Sequence, residues 1–460
     1  LTPAARLAAA IEVIDQALAI RAPADEVLKA WGRTHRFAGS KDRKAIAELV
    51  FAAFRARGRS SWRMGADDGR ATILGLLRWS EDRTTEEIEV LFSGEGYAPP
   101  PLSDDERERL SATFDDEPEW VGSGLPEWLA ERFRVQFGPD WLEEARAVIL
   151  PRAPVDLRVN TLRGDMDGAL RLLDHEDVKP DQAAFSTLGL RLPPAFARDV
   201  QQLRAFTSGW IEVQDEGSQI VAALSGAAPG EFVIDYCAGG GGKTLALAAM
   251  IGSPALRQAQ GEASMIRPHA EPVEARGRDL SSRLIASDIN TKRLAAMRER
   301  LERAGATADV RTLGPSGEGM DDLIGQADLV FVDAPCSGSG TFRRHPESAW
   351  RLTPETITRL SVLQSEILAR AARLVRPGGR LVYVTCSMLD EENIEVAQRF
   401  AAAHPDFRPR PIADAVQTPL LTDLAWDRLT GLAPGGHTLQ LTPRRTGTDG
   451  FFVALFQRAS

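Results

Sequence analysis

The sequence predicts an α/β protein, with a doubly wound Rossmann-like domain over residues 201–460, preceded by a small α/β module and an all-helical N-terminal domain. Three observations predict this. From Trp210 onward, short apolar runs ("EFVIDYCA", "RLIASDIN", "ADLVFVDAP", "GRLVYVTCS") alternate with segments of helical periodicity, the pattern of parallel strands joined by crossover helices. These runs close on Asp235, Asp288, Asp333 and Cys386, which places four chemically active side chains at the carboxyl edge of one sheet. The first run leads directly into a glycine-rich turn and a helix from Lys243, the arrangement that receives a nucleotide in such folds.

Taken in order, the chain opens with "LAAAIEVIDQALA" and "DRKAIAELVFAAFRARG", whose apolar residues recur at three and four, and Ser40 is the expected N-cap of the second helix. Residues 1–65 carry twelve Lys/Arg against six Asp/Glu, net +6; residues 66–124 carry five against sixteen, net −11. The basic segment can therefore touch phosphates although the whole chain is at −10. The stretch from Ser93 to Gly124, with "GEGYAPPPLSDDERERL", reads as an acidic connector that ends a helical domain over 1–124. Residues 125–200 then give two helices split at Gly138-Pro139, followed by strand-like "VDLRVN", helical "DMDGALRLLDH" and strand-like "LGLRLP". Between the helix after Lys243 and the strand at Leu284, a connection that usually takes two to six residues is lengthened to 251–283, which reads as a surface insertion.

Composition narrows the classes. No apolar run approaches the roughly 20 residues of a membrane helix, and the N-terminal stretch lacks a signal-peptide layout, so a cytoplasmic protein is expected. The three cysteines, Cys237, Cys336 and Cys386, are too few for a disulfide framework and are spaced unlike zinc ligands, so no metal is expected.

The turn "CAGGGGKT" resembles a phosphate loop, but the place where G-x-x-x-x-G-K-[ST] needs glycine is Cys237, so an ATPase reading stays open only as a rival. Asp288, ending the next strand, suits a ribose with two free hydroxyls, as in adenosine-containing cofactors. The cysteines bear on the choice. Cys336 stands three residues after Asp333 and Cys386 ends the following strand, so two thiols and a carboxylate face one ligand edge. A buried cysteine is ordinarily a small hydrophobe, but two at strand ends beside an adenosine site suit alkylation of a pyrimidine carbon. Carbon 5 of cytosine becomes nucleophilic once a thiolate adds to carbon 6 and an acid stabilises the charge at N3, and the base must be unstacked to be reached.

At "RVN" (158–160), "QDEGSQ" (214–219), "DAPCSGSGTFRRHPE", "VTCS…EEN" and "TDGFFVALF" the chain resembles the Nop/Sun family of RNA cytosine-5 methyltransferases, and in layout its bacterial ribosomal-RNA branch, which adds a NusB-like helical RNA-binding domain. The resemblance implies a class I methyltransferase domain, S-adenosyl-L-methionine as cofactor and an RNA substrate, ribosomal RNA foremost, for a monomer with no obligate protein partner. It implies Cys386 as the nucleophile, Cys336 as the group that helps release product, and Asp333 in contact with both cofactor and base. The family loop C-A-A-P-G-G-K falls on Cys237, Ala238, Gly239, Gly240, Gly241, Gly242 and Lys243, so two glycines replace Ala-Pro; Asp288 is the ribose-binding acid. The acidic residue usual near the adenine is absent beside Gly314. Arg158, Asn160, Arg343, Arg344 and His345 are candidates for holding RNA, Asn160 by shaping the pocket. A transfer-RNA or DNA cytosine-5 methyltransferase, the latter with Cys336 as nucleophile, and a non-catalytic RNA-binding assembly factor are the remaining alternatives.

Overall fold

A computed structural model describes residues 1–252 and 282–460, apart from residues 195, 197, 417, 434 and 435, so 253–281 of the expected insertion lie outside the described residues. Contacts divide the chain into two units. One comprises Leu1–Ala153 with Gly338–Pro354 and Pro443–Arg445; the other comprises Pro154–Ser337, Glu355–Thr442 and Thr446–Ser460. Among the described residues no helix is long and apolar enough to cross a membrane.

The first unit is helical because its apolar residues fall on single faces. Helices Pro3–Ile20, Ser40–Met64 and Gly69–Trp79 bury Ile14, Ile46, Phe54, Ile73 and Leu74 in one core. Ser40 is not the N-cap: the helix begins at Ser40 itself and Gly39 holds the cap position in extended backbone. The acidic stretch is not a bare connector either. Ser103 and Glu106 form a capping box that starts helix Asp104–Ser111, and Leu102 and Leu110 join the helical core. Charge composition hid these anchors, because two apolar residues among many carboxylates suffice to bury one face. By contacts, helices Glu127–Phe137 and Trp141–Ile149 also fall in this unit, whose first segment runs to Ala153.

The second unit opens with β1 (Asp156–Val159), β2 (Asp181–Gln182), β3 (Gly189–Arg191) and β4 (Ile211–Val213). They form an antiparallel sheet in the order β2-β3-β1-β4, with helix Met166–Asp174 between β1 and β2. The strands that follow are β5 (Phe232–Asp235), β6 (Arg283–Asp288), β7 (Asp309–Thr312), β8 (Ala327–Asp333), β9 (Val375–Thr385), β10 (Phe407–Pro409), β11 (Thr438–Leu441) and β12 (Phe451–Arg458). Their order is β10-β12-β9-β8-β5-β6-β7, with β11 also on β12; β7, β6, β5, β8 and β9 are parallel and β12 enters antiparallel beside β9. This is the doubly wound Rossmann-like sheet that the alternation predicts. Alternate residues of the central strands enter two cores: Val233, Leu329 and Val382 on one side, Ile234, Val330 and Leu381 on the other. Burial on both faces explains their near-continuous apolar runs. The order reverses at β5, with β6 on one side and β8 on the other, so the crevice above β5 is where a ligand enters. The sequence reading did not assign β10, β11 or β12, since a strand inserted antiparallel carries no mark in a βα alternation.

Candidate active site

The glycine turn sits in that crevice. Ala238 N–H donates to the Ser287 carbonyl (2.9 Å) and Gly239 N–H to Asp288 Oδ2 (2.9 Å), which ties the loop after β5 to the end of β6. Asp288 Oδ1 accepts from Asn290 N–H (2.7 Å), so the carboxylate is oriented before any ligand arrives. Gly239 has φ +53° and Gly241 φ +84°, the left-handed region where glycine costs least. Gly239 therefore does more than loosen a turn that the family closes with Ala-Pro. A Cβ on it would meet nothing nearer than 3.9 Å, which leaves the loop backbone open to close approach by a ligand. Arg300 donates to the Gly240 carbonyl (2.6 Å) and to Glu212 (3.1 Å), pinning the turn to β4.

A nucleoside triphosphate does not suit this loop. Thr244 Oγ1 donates to Asp235 Oδ2 (2.6 Å) and Lys243 Nζ to Asp333 Oδ2 (2.8 Å), so both phosphate-loop side chains are engaged with carboxylates. Burial alone would lower the Lys243 pKa, but the Asp333 carboxylate, and then Cys386 nearby, raise it, which keeps a cation in the site. The Lys243 ammonium also stands 4.8 Å from the centre of the Phe451 ring, on β12. Burial pushes Asp235 up to about 7, against the Thr244 hydrogen bond. Burial, and then the Asp235, Asp288 and Asp333 carboxylates, push the Cys237 thiol well up, so Cys237 is a protonated wall of the loop and no nucleophile.

Cys336 and Cys386, fifty positions apart, have their sulfurs 3.4 Å from one another, in contact and without a disulfide. What brings them together is Glu392, fully buried, whose carboxylate accepts from Ser337 N–H (2.8 Å), Ser387 Oγ (2.6 Å) and Gln364 Nε2 (3.0 Å). It thus clamps the residue after Cys336 to the residue after Cys386. Asn393 extends the clamp: its Oδ1 accepts from Thr385 Oγ1 (2.5 Å) and its Nδ2 donates to the Ser387 carbonyl (2.9 Å) and to Gln440 Oε1 (2.8 Å). The "EEN" of the sequence is therefore a support for both thiols. Its signal was the spacing of five to seven residues after the TC turn, which alone does not say what the carboxylate holds.

The "QDEGSQ" run is structural: Asp215 caps helix Glu216–Leu224 and accepts from Asp449 N–H (3.1 Å), while buried Glu216 accepts from Phe185 N–H (2.5 Å). Asn160, expected to shape an RNA pocket, is buried, with Nδ2 donating to the Gly209 and Ala304 carbonyls (both 2.8 Å) and Oδ1 accepting from Leu162 N–H; it locks β1 to the end of helix Thr291–Ala304. Arg158 is likewise buried, its Nε on Gln214 Oε1 (2.6 Å), and burial lowers it to about 10. Neither side chain reaches the surface. Arg343, Arg344 and His345 lie in the helical unit, where Arg343 is buried and His345 exposed. An acidic group does stand at Gly314 after all. The turn Gly314–Glu318 folds Glu318 back, so that its Oε2 accepts from Ser316 N–H (2.9 Å) and lies 2.2 Å from where a Gly314 Cβ would be.

Comparison with known proteins gives the following. The family model described as 16S rRNA methyltransferase RsmB/F matches residues 278–457, and the RsmF/B-like ferredoxin-like domain matches 125–198. Ribosomal RNA small subunit methyltransferase B of Pseudomonas putida is 32% identical over 354 residues, 76% of this chain and 70% of that protein. The Pseudomonas syringae pv. tomato protein of the same name is 32% identical, over 73% of this chain and 66% of its own length; the probable one of Synechocystis is 30% identical, over 73% and 67%. The matched stretch thus spans about two thirds of these relatives. Among solved structures, PH0851 superposes with TM-score 0.72 over 100% of this chain and 99% of its own, at 23% identity. NSun6 from Pyrococcus horikoshii with SFG gives TM-score 0.56 over 73% and 98%, at 19% identity. At these identities the structures support the fold.

Proposed function

We propose, from the premise that this chain belongs to the RsmB/F family of 16S rRNA methyltransferases, that it transfers a methyl group from S-adenosylmethionine to carbon 5 of a cytosine in ribosomal RNA. The observation that carries the reading is the pair of thiols 3.4 Å apart beside the Lys243–Asp333 pair at the carboxyl edge of the sheet. One thiol suffices for hydrolase chemistry. Two, on separate loops clamped by a common carboxylate, suit a reaction in which one sulfur adds to a ring and another group near it takes a proton away.

The cofactor supplies an electrophilic methyl group to carbon 5. The open glycine turn with Ala238, Gly239, Gly240 and Gly241 would hold it, with Asp288 as the acceptor for the ribose hydroxyls and Glu318, in the turn after β7, as the acid for the adenine end. Lys243 stabilises the Cys386 thiolate and fixes the Asp333 carboxyl. Cys386 sulfur, as thiolate, adds to carbon 6 of the cytosine and the C5–C6 π pair moves to carbon 5, while N3 takes a proton from the Lys243 ammonium through Asp333; that proton returns from N3 to the pair when Cys386 leaves. After methylation Cys336, as thiolate, takes the proton from carbon 5; the C5–C6 double bond re-forms and Cys386 leaves as thiolate. Asn160 and Arg158 act only by holding the small sheet against the helix that pins the glycine turn.

The test incubates the protein with methyl-labelled S-adenosylmethionine and, separately, unmodified ribosomal RNA, transfer RNA and duplex DNA, followed by nucleoside digestion. Labelled 5-methylcytosine in ribosomal RNA is the expected result. Cys386→Ala abolishes turnover, and Cys336→Ala accumulates a covalent RNA adduct. Adduct formation that survives in Cys386→Ala and is lost in Cys336→Ala would reverse the two assignments, as in a DNA-type enzyme.

A further inference from the structure

A cavity of about 750 Å³ opens in the helical unit between helix Ser40–Met64 and the end of helix Trp141–Ile149, and four guanidinium groups, Arg55, Arg59, Arg146 and Arg152, line it. No carboxylate lines it among the described residues, and its floor is apolar, with Leu76 and Val121 among its residues. Four like charges around one concavity repel unless an anion joins them. The nearest compensation lies outside: Glu117 pairs with Arg59 (2.9 Å), and Glu347 accepts from Ala24 N–H (3.2 Å). Arg55 donates from one terminal nitrogen to the Arg343 carbonyl (3.0 Å), but its Nε is buried without a hydrogen-bond partner among the described residues. Burial, and then the Arg152 charge, lower the Arg55 pKa, and the Glu347 carboxylate offsets this only in part. Arg146 is held by the Gly122 carbonyl (2.9 Å) and Arg152 is exposed, so both present their outer nitrogens at the rim.

We propose that this arginine-lined cavity is a docking site for the phosphodiester backbone of the RNA substrate. The reading rests on the proposed RNA methyltransferase activity and adds a location to it. Arg55 and Arg59 are one helical turn apart on one wall and Arg146 and Arg152 form the other, so the cations line a trough open at the rim. That shape suits a strand carrying successive phosphates more than a single phosphate ion. Guanidinium forks grip phosphate oxygens in pairs without reading sequence, so the site sets the position of the RNA and leaves the choice of base to the catalytic unit.

The experiment measures binding of an unmodified small-subunit ribosomal RNA transcript to the full chain across a series of salt concentrations. It compares wild type with Arg146→Ala/Arg152→Ala, both rim residues, and with Arg107→Ala on the acidic helix Asp104–Ser111 as a control for the loss of a positive charge elsewhere in the unit. The double variant is expected to raise Kd at least about tenfold and to lower the slope of log K against log salt by about 0.7 for each phosphate no longer neutralised. KM for RNA rises with it, while kcat at saturating RNA and cofactor affinity stay at wild-type values. Arg107→Ala leaves the slope unchanged. A double variant with wild-type Kd and slope, in a chain that binds and methylates RNA, overturns the docking site alone. A wild-type chain that neither binds nor methylates RNA overturns the parent reading and the site with it.

Discussion

Glu392 offers the sharpest test of how the two thiols are held. Its carboxylate is the common acceptor for Ser337 N–H, Ser387 Oγ and Gln364 Nε2, in a position with no solvent exposure. Hydrogen bonds to a charged acceptor contribute about 1.5–3 kcal/mol each. Three that share one oxygen pair are not additive, so Glu392→Ala is expected to cost about 3–5 kcal/mol. Glu392→Gln keeps an oxygen for the two N–H donors, and its amide can donate to Ser387 Oγ once that hydroxyl rotates, so its cost is about 1 kcal/mol. Urea unfolding with linear extrapolation measures the difference. A second measurement reads the site itself: hydrogen exchange of the peptide that spans Ser337 accelerates in the alanine variant and stays slow in the glutamine variant, and diamide links Cys336 to Cys386 more slowly when the clamp is gone. An alanine variant within about 1 kcal/mol of wild type, with unchanged exchange at Ser337, would show that the clamp does not hold the loops.

Other consequences can be checked in the same preparations. Asp235 titrates near 7 in the folded chain against an ordinary 3.8, so the folded state binds the extra proton in that window and the stability this gives is complete below about pH 4 and lost as pH rises through 7. Asp235→Asn cannot titrate and keeps an acceptor for Thr244, so its stability relative to wild type should climb between pH 4 and 7 by up to about 4 kcal/mol and then level off; a difference flat with pH contradicts the burial argument. Gly241→Ala places a Cβ at φ +84° and 2.4 Å from Met297 Cγ, and should cost about 2 kcal/mol or more in thermal or urea unfolding. Gly240→Ala, outside the left-handed region and with its nearest neighbour at 3.7 Å, should instead stabilise by about 0.4–1 kcal/mol. Glu318→Ala should weaken S-adenosylmethionine binding, by calorimetric titration, by up to about tenfold, and leave the RNA affinity unchanged.

Much of the site was legible because its residues are local to strand ends. A run such as "ADLVFVDAP" states in one line that a buried strand stops at Asp333 and that a turn follows, and the parallel βα repeat forces every such stop onto the same edge. The glycine loop, Asp288, Asp333, Cys336 and Cys386 were placed on that edge in this way. Residues whose part depends on what lies across space were not. Arg158 and Asn160 looked like RNA ligands by type, yet β1 runs through the middle of its sheet and buries them against β4 and the helix Thr291–Ala304. Glu318 was passed over because it stands four positions after Gly314, and only the fold of the turn brings it back.

By itself the sequence determined that a Rossmann-like sheet is built, which residues close its strands, and that two thiols, a carboxylate and a glycine turn share its carboxyl edge. These follow from the periodicity of burial, which is written along the chain. The 3.4 Å between Cys336 and Cys386, the buried carboxylate that clamps their loops, the entry of β12 beside β9, and the inclusion of residues 338–354 in the helical unit were decided only in the tertiary structure. Each depends on contacts between segments tens to hundreds of residues apart. Such contacts are set by how whole elements pack, and a local pattern of residue types does not encode them.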